Sequence, residues 1–452
     1  MRPTLPATDD ASKPAPINFW QALIFWFKLG LMSFGGPATQ IAIMHDELVE
    51  QRRWISERRF LRALNFCMLL PGPEAQQLAI YIGWLMHSTW GGIMAGVLFI
   101  LPSLLLMITL TWIYITFGQL HWITGLLYGI KPAIVAILIQ AVHYIASRVL
   151  KNALLWTIAI ASFMAIFILD VPFPLIIAIA AALGYMGEQW IPHKLKISNQ
   201  YASTYKFFSS AYIDDDTPIP IHARFCWRRI IKIISVGTII WTAPIIFLTI
   251  TYGWQHTFTQ ISWFFTKAAL LMFGGAYAVL PYVHQSVVDH YGWLTTTQMI
   301  DGLALAESTP GPLIMIVAFI GFVVAYAKAL LGPTLLFFAG AAAAMLVAWV
   351  TFLPSFIFIF VGGPIIEAKH NNLKLSAMLG TITAAVVGAI LNLVLLFGDH
   401  VLWPKGLAGP FDWRAGLMTL AASIALIYFE GRTLAMIVIC ALIGLTLKVF
   451  MA

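Results

Sequence analysis

The sequence is poor in charge. Of its 452 residues, 10% are Asp, Glu, Lys or Arg, where a soluble domain usually carries about 25%. That shortage excludes an ordinary globular protein and a disordered chain. Cysteine is scarce too: Cys67, Cys226 and Cys440 lie far apart and match neither a metal-ligand nor a disulfide spacing. No Walker A sequence, HExxH or CxxC occurs, so P-loop ATP hydrolysis has no support, and no cofactor or metal is expected. The basic excess, 26 Lys+Arg against 19 Asp+Glu, is thin over this length. It reads as loop charge that orients a membrane protein, not as a nucleic-acid footprint. Residues 1–17 lack the apolar core of a cleavable signal and read as a polar cytoplasmic N-terminus.

What the chain has in excess is apolar surface, 60% from AVILMFWYC. Spanning a bilayer takes roughly 20 apolar residues. Uninterrupted stretches lie at 92–118, 122–147, 153–169, 171–187, 230–252, 333–360, 375–398, 413–430 and 432–450. Four more are broken in the middle: 18–44 at Phe34-Gly35-Gly36-Pro37, 60–87 at Pro71-Gly72-Pro73, 261–283 at Phe273-Gly274-Gly275, and 298–327 at Pro310-Gly311-Pro312. Gly362-Gly363-Pro364 reads as a turn at a span end. The polar segment 188–229 reads as a cytoplasmic linker.

The broken segments expose an internal repeat. At a shift of 239, residues 28–73 align without a gap on 267–312, with 12 identities in 46 positions. Lys28, His45 and Trp54 fall on Lys267, His284 and Trp293, and the Gly and Pro clusters coincide. Leu101-Pro102-Ser103 matches Leu353-Pro354-Ser355 further on. The expected organisation is a first repeat over 18–187, the linker 188–229, a connecting transmembrane helix at 230–252, and a second repeat over 261–450. Counting the broken segments as spans or as re-entrant loops leaves an odd number of crossings between repeat starts, so the halves are expected to face opposite ways. Charge agrees: 45–62 carries five arginines and its partner 284–301 no Lys or Arg, which puts the first loop in the cytoplasm. If the broken segments re-enter, the linker and Arg148/Lys151 share that side, and the C-terminus is external. The expected fold is therefore an all-α polytopic membrane protein with two inverted repeats, whose broken, re-entrant helices meet near the midplane.

Irregular backbone inside a bilayer is tolerated where it is buried in protein or lines an aqueous cavity. Inverted repeats with helices broken near the midplane are the usual plan of secondary transporters. A half-helix N-terminus presents free N–H groups and a partial positive charge to an anion. Gly35, Gly36, Gly274 and Gly275 let such groups approach a ligand, and Pro37, Pro73 and Pro312 suit first helical turns. The alternative is that these residues merely kink or close-pack ordinary spans. Phe34, Gln40, Pro71, Gly72, Phe273, Ser308, Thr309, Pro310 and Gly311 complete the candidate substrate site. Charged residues inside spans are functional candidates by default. Lys131 is nominated for the substrate, with pairing to a glutamate as the alternative. Lys28 and Lys267 hold charge near the site or snorkel to an interface. Glu74 and Glu307 are proton carriers or helix caps, and His45 and His284, at the membrane edge, serve packing or a proton role. Three lysines against two carboxylates favour an anionic substrate.

Phe34-Gly35-Gly36-Pro37 with Gln40-Ile41-Ala42, and Leu70-Pro71-Gly72-Pro73-Glu74-Ala75-Gln76-Gln77-Leu78-Ala79, resemble the chromate ion transporter family. So do Phe273-Gly274-Gly275 with Tyr277-Ala278-Val279-Leu280-Pro281, and Thr309-Pro310-Gly311-Pro312. The likeness covers about 20–450 and looks like the long, two-domain form. Ala276 departs from it, standing where the family's second half usually has a third glycine. The resemblance implies chromate export across the inner membrane and chromate resistance, with sulfate as competitor or alternative substrate. An intramembrane lipid-modifying enzyme is the reading from another class, and it lacks a catalytic acid–base cluster. The bilayer is the expected surrounding, and homo-oligomerisation stays open.

Overall fold

The computed structural model describes residues 16–190, 211–218, 220–368, 376–406, 408–429 and 433–450. Most of the expected polar N-terminus and residues 191–210 of the expected linker lie outside them. The described residues form 16 α-helices and no sheet, as the composition requires. In chain order these are α1 (Phe19–Met32), α2 (Gly36–His45), α3 (Glu57–Cys67), α4 (Glu74–Phe117), α5 (His121–Val149), α6 (Ala153–Leu169), α7 (Phe173–Trp190) and α8 (Trp227–Tyr252). They continue as α9 (Thr257–Leu270), α10 (Ala276–His284), α11 (Thr296–Ser308), α12 (Ile316–Ala327), α13 (Leu336–Ala368), α14 (Ser376–Leu402), α15 (Trp413–Tyr428) and α16 (Thr433–Val449). Five helices, α4, α5, α8, α13 and α14, are long and apolar enough to cross a membrane. The protein is a multi-pass membrane protein.

All four broken segments fold back as hairpins. The glycines at 35 and 36, and at 274 and 275, have φ between 80° and 93°, a left-handed turn that side-chain-bearing residues avoid. In the first hairpin Phe25 of α1 meets Trp54 at 5.0 Å between rings, with the Arg52 guanidinium 5.0 Å from the Phe25 ring, so the chain beyond α2 has returned to α1. The third hairpin repeats this at the same shift of 239: Phe264 of α9 packs on Tyr291 and Trp293. In the fourth, Gly302 of α11 lies under the Phe319 ring of α12. Apart from the limb that continues into α4, no limb is long enough to cross a core of about 30 Å; α1, at 14 residues, reaches about 21 Å.

Local structure follows the repeat at several matched positions. Both α2 and α10 run into six-residue π-helical turns, Asp46–Gln51 and Gln285–His290. Arg53 takes a positive φ, 53°, where its counterpart Gly292 has 59°. Ser56 caps α3 through the Arg59 N–H, and Thr295 caps α11 through the Gln298 N–H. The second hairpin passes directly into the next long helix, for α4 is bent once, at His87 and Ser88, where Ser88 has φ 56°. Its counterpart, α12, reaches α13 through a loop. Gly362-Gly363-Pro364 makes no turn: it lies inside α13, where Gly362 packs on Phe66 and Gly363 on Trp84. Small residues there serve close helix contact, and the breaker reading fails.

The repeats are exchanged at their long helices. α5 packs against α15 and α16, with Gly129 against Gly444. Reciprocally, α14 packs against α6 and α7, with Gly388 against Ala159 and Gly184 against Met378. Glycines allow helix axes to approach where a hydrophobic drive between helices is weak. α8 stands at the edge on α13 and α9, with Ile231, Ile239, Ile246, Phe247 and Ile250 facing outward.

Candidate functional site

The hairpin tips meet in reciprocal pairs. The Gly311 N–H donates to Ser33 O at 2.7 Å, and the Gly72 N–H to Met272 O at 2.8 Å. These are one bond made twice, because Ser33 and Met272, and Gly72 and Gly311, are equivalent in the repeat. Gly72 and Gly311 have φ of 130° and 105° and lie beneath Ser355 and Ser103 of the opposite repeat. Buried Gln40 adds a clamp on one side only, donating from Nε2 to Gly311 O at 2.6 Å and to Ser33 O at 3.3 Å. Its counterpart is Val279.

Every limb that leaves a tip starts a helix there: α2 after Gly35, α4 after Pro73, α10 after Gly275, and the 3-10 turn before α12 after Pro312. Helix N-termini carry partial positive charge and unpaired N–H groups, so the tips bring both to their meeting place. A Cβ on Gly36 would come no closer to another group than 4.0 Å, from the Tyr277 hydroxyl oxygen. One on Gly275 would lie 3.8 Å from Glu74 Oε1, and one on Gly274 3.6 Å from Thr383 Oγ1. Tyr277 Oη donates to Glu307 Oε1 at 2.7 Å, and Glu307 is buried. Thus Gly36, Gly274, Gly275, Glu74, Tyr277, Glu307 and Thr383 surround one junction. Phe34 and Phe273 are half-buried at the turns, Pro37 follows Gly36 in the first turn of α2, and Pro71, Pro73, Pro310 and Pro312 hold the other two tips. The Ser308 and Thr309 hydroxyls are taken by Leu305 O and Ala306 O, both at 2.9 Å.

The lysines are placed differently. Lys131 Nζ lies 3.3 Å from Asp301 Oδ1, whose other oxygen accepts from Tyr114 Oη at 3.0 Å. Asp301 precedes Glu307 on α11 by about 9 Å of helix rise. The expected partner was a glutamate; the structure gives instead an aspartate, Asp301, that the sequence reading left out. Lys28 is exposed beside Ile43 and Glu47, and Lys267 rests on the Trp263 ring at 5.9 Å. His45 and His284 sit at the hairpin bases: His45 Nε2 is 2.6 Å from Glu57 Oε2, and His284 Nε2 is 3.5 Å from Thr296 Oγ1. The tally of three lysines against two carboxylates therefore changes, since Asp301 and Glu367 are buried carboxylates too. Tyr277, Thr383 and Asp301 were missed. The rule that singled out Lys131, a charge within an apolar segment, would have found Asp301 as well.

The chromate transporter family model matches residues 20–185 and 259–445, one match for each repeat. The chain belongs to the chromate transporter family. A chromate transport protein of Pseudomonas aeruginosa is 31% identical over 93% of this chain and 94% of its own length. One from Cupriavidus metallidurans is 28% identical, covering 94% and 92%, and a probable chromate transport protein of Synechococcus elongatus is 27% identical, covering 90% and 95%. No solved structure matches the chain. The family's two matched regions contain all four hairpins apart from their outermost residues, so the tip junction lies within the matched part of the chain.

Proposed function

We propose that the protein is a secondary carrier that exports chromate across the inner membrane and so confers chromate resistance. The observation that carries this is the junction where helix N-termini meet at glycine tips from both repeats. It offers backbone N–H donors to a tetrahedral oxyanion. Membership of the chromate transporter family supplies the substrate. The site is read as Phe34-Gly35-Gly36-Pro37, Phe273-Gly274-Gly275 and the two Pro-Gly-Pro tips, with Glu74 and Glu307 as the carboxylates that would handle protons.

The repeats are read as inverted in the membrane. Arginine-rich 45–62 and the linker then face the cytoplasm with the N-terminus, while 284–301 and the C-terminus face outward. Segment 211–218 supports the shared side of loop and linker, because the Ser56 N–H donates to Ile213 O at 3.0 Å and Arg59 donates to Thr217 O at 2.6 Å. Voltage supports the direction. A dianion leaving a negative interior gains about 4.6 kcal/mol per 100 mV, roughly three decades of gradient without a coupled ion. Sulfate is the second reading, because it shares the tetrahedral geometry that the tips address. Flux of labelled chromate and sulfate in proteoliposomes tests both: chromate moving down an imposed voltage is expected, and movement of neither anion would defeat the carrier reading.

A further inference from the structure

Two features of the junction have no part in merely cradling an anion. The first is that Tyr277, the side chain nearest to Gly36, does not offer its hydroxyl to the junction. It donates it instead to Glu307, at 2.7 Å. The second is that Glu307, 4% exposed, has no cation partner among the described residues. A buried carboxylate without a counter-ion is held by whatever donors reach it. Tyr277 is that donor.

Among the described residues, Tyr277 is the side chain that bonds Glu307. α4, packed on α11, brings Glu74 and Tyr114, and α5 brings Lys131 and Arg148; Tyr114 and Lys131 are engaged by Asp301, and the Arg148 charge acts on Glu74. α12 carries Tyr326, α14 carries Asp399 and His400 in its last turns, and α16 carries Cys440 and Lys448. Among the described residues, none of these is hydrogen-bonded or ion-paired to Glu307. Glu307 and Tyr277 also have no counterparts in the other repeat, where Met68 and Ala38 stand. The pair is therefore an asymmetric element of the junction, as the Gln40 clamp is.

An oxyanion arriving at Gly36 would meet a hydroxyl whose proton is already given to a carboxylate, and would be repelled by that carboxylate. Both obstacles disappear if Glu307 takes up a proton. The acid no longer repels the ion, and the Tyr277 hydroxyl is free to turn towards it. We propose that Tyr277 is an oxyanion-binding residue held in reserve by Glu307, so that one proton enters Glu307 with each oxyanion bound. This rests on the reading of the junction as an oxyanion site. The step is a proton transfer from water to a carboxylate, with no other bond made or broken. A dianion carried with one proton moves one net negative charge instead of two. That halves the voltage term and makes flux respond to the pH gradient.

Purified full-length protein in weakly buffered detergent solution, with a pH indicator, tests this by addition of sodium chromate above the range in which chromate itself binds a proton. Sodium sulfate is the second probe. The native protein is expected to take up about one proton per oxyanion bound. Glu307→Gln should bind without uptake, and its affinity should lose its pH dependence. Tyr277→Phe strips the Glu307 carboxylate of its donor, so it should lower the proton uptake per bound ion and also lose affinity on the order of tenfold, the worth of a hydrogen bond to a charged group. Binding by the native protein without proton uptake, or unchanged affinity in Tyr277→Phe, would overturn the proposal and leave the oxyanion site standing. Binding of neither anion would bring down the oxyanion site, and this proposal with it.

Discussion

Two glycines of the tips separate folding from transport. Gly311 has φ 105°, and a Cβ there would stand 2.6 Å from Ser103 Cβ, a distance real side chains do not adopt. Gly311→Ala therefore combines backbone strain of about 1–3 kcal/mol with overpacking of about 1–3 kcal/mol. Ser103 is fully buried on α4, and the Cβ in the way cannot rotate aside. Gly36 has φ 83°, and its added methyl would meet nothing closer than the Tyr277 oxygen at 4.0 Å. Gly36→Ala therefore carries the backbone cost of about 1–3 kcal/mol alone, within the about 5–15 kcal/mol typical of a folded domain. Thermal unfolding in detergent and chromate flux in proteoliposomes should be measured on the same preparations. Gly36→Ala is expected to fold with a midpoint lower by a few degrees yet to lose most of its flux, because its methyl enters the space assigned to the ion. Gly311→Ala is expected to lose folded yield, and Ser103→Gly in that background should recover the overpacking part. Parental flux in Gly36→Ala would refute the placement of the ion. Equal stability of the two variants would refute the tip packing.

Other consequences can be checked separately. Lys131→Gln strands Asp301 in a buried position and should destabilise by up to about 3–5 kcal/mol, while Lys131→Gln/Asp301→Asn should be milder than the sum; a coupling energy near zero would show that the pair does not hold α5 to α11. Gln40→Ala removes the donor to Gly311 O, and a loss of about 1–3 kcal/mol is expected in unfolding by denaturant, against no change if the clamp is idle. In a cysteine-free background, single cysteines at 284–301 should react with impermeant reagents from outside and those at 45–62 should not; labelling of both from one side would end the inverted arrangement. Burial holds the His222 imidazole below its ordinary value of 6.5 while its Nε2–H donates to Trp84 O. Its stabilising contribution is complete above 6.5 and lost as pH falls below that value, so acidification should speed protease cleavage near 211–226; a pH-independent rate would argue against it.

Much of this was legible without coordinates because glycine and proline constrain backbone directly. The Phe-Gly-Gly and Pro-Gly-Pro clusters mark tips since only glycine takes the φ of 80–130° found at them, and their spacing of 239 revealed the repeat. Gly362-Gly363-Pro364 shows the limit of that reasoning. In a helix packed tightly on Phe66 and Trp84, the same residue types serve contact instead of turning. Charge was legible in kind but not in partnership. A lysine within an apolar span announces that something must neutralise it, yet that its partner is Asp301, on a hairpin of the other repeat, was not identifiable from the spacing.

What the sequence determined by itself is the set of parts: an all-helical membrane chain, a duplication, and four places where helices must break. Those follow from local rules of hydrophobicity and backbone sterics that act within one stretch of chain. Tertiary structure alone decided which tip meets which. Reciprocal bonds join Gly311 to Ser33 and Gly72 to Met272, α5 and α14 cross into the opposite repeats, and Tyr277 is delivered to Glu307 beside Gly36. Such pairings depend on how two hairpins far apart in sequence pack around shared glycines. Hydrophobic pattern carries no record of partner identity, because every limb presents the same apolar faces.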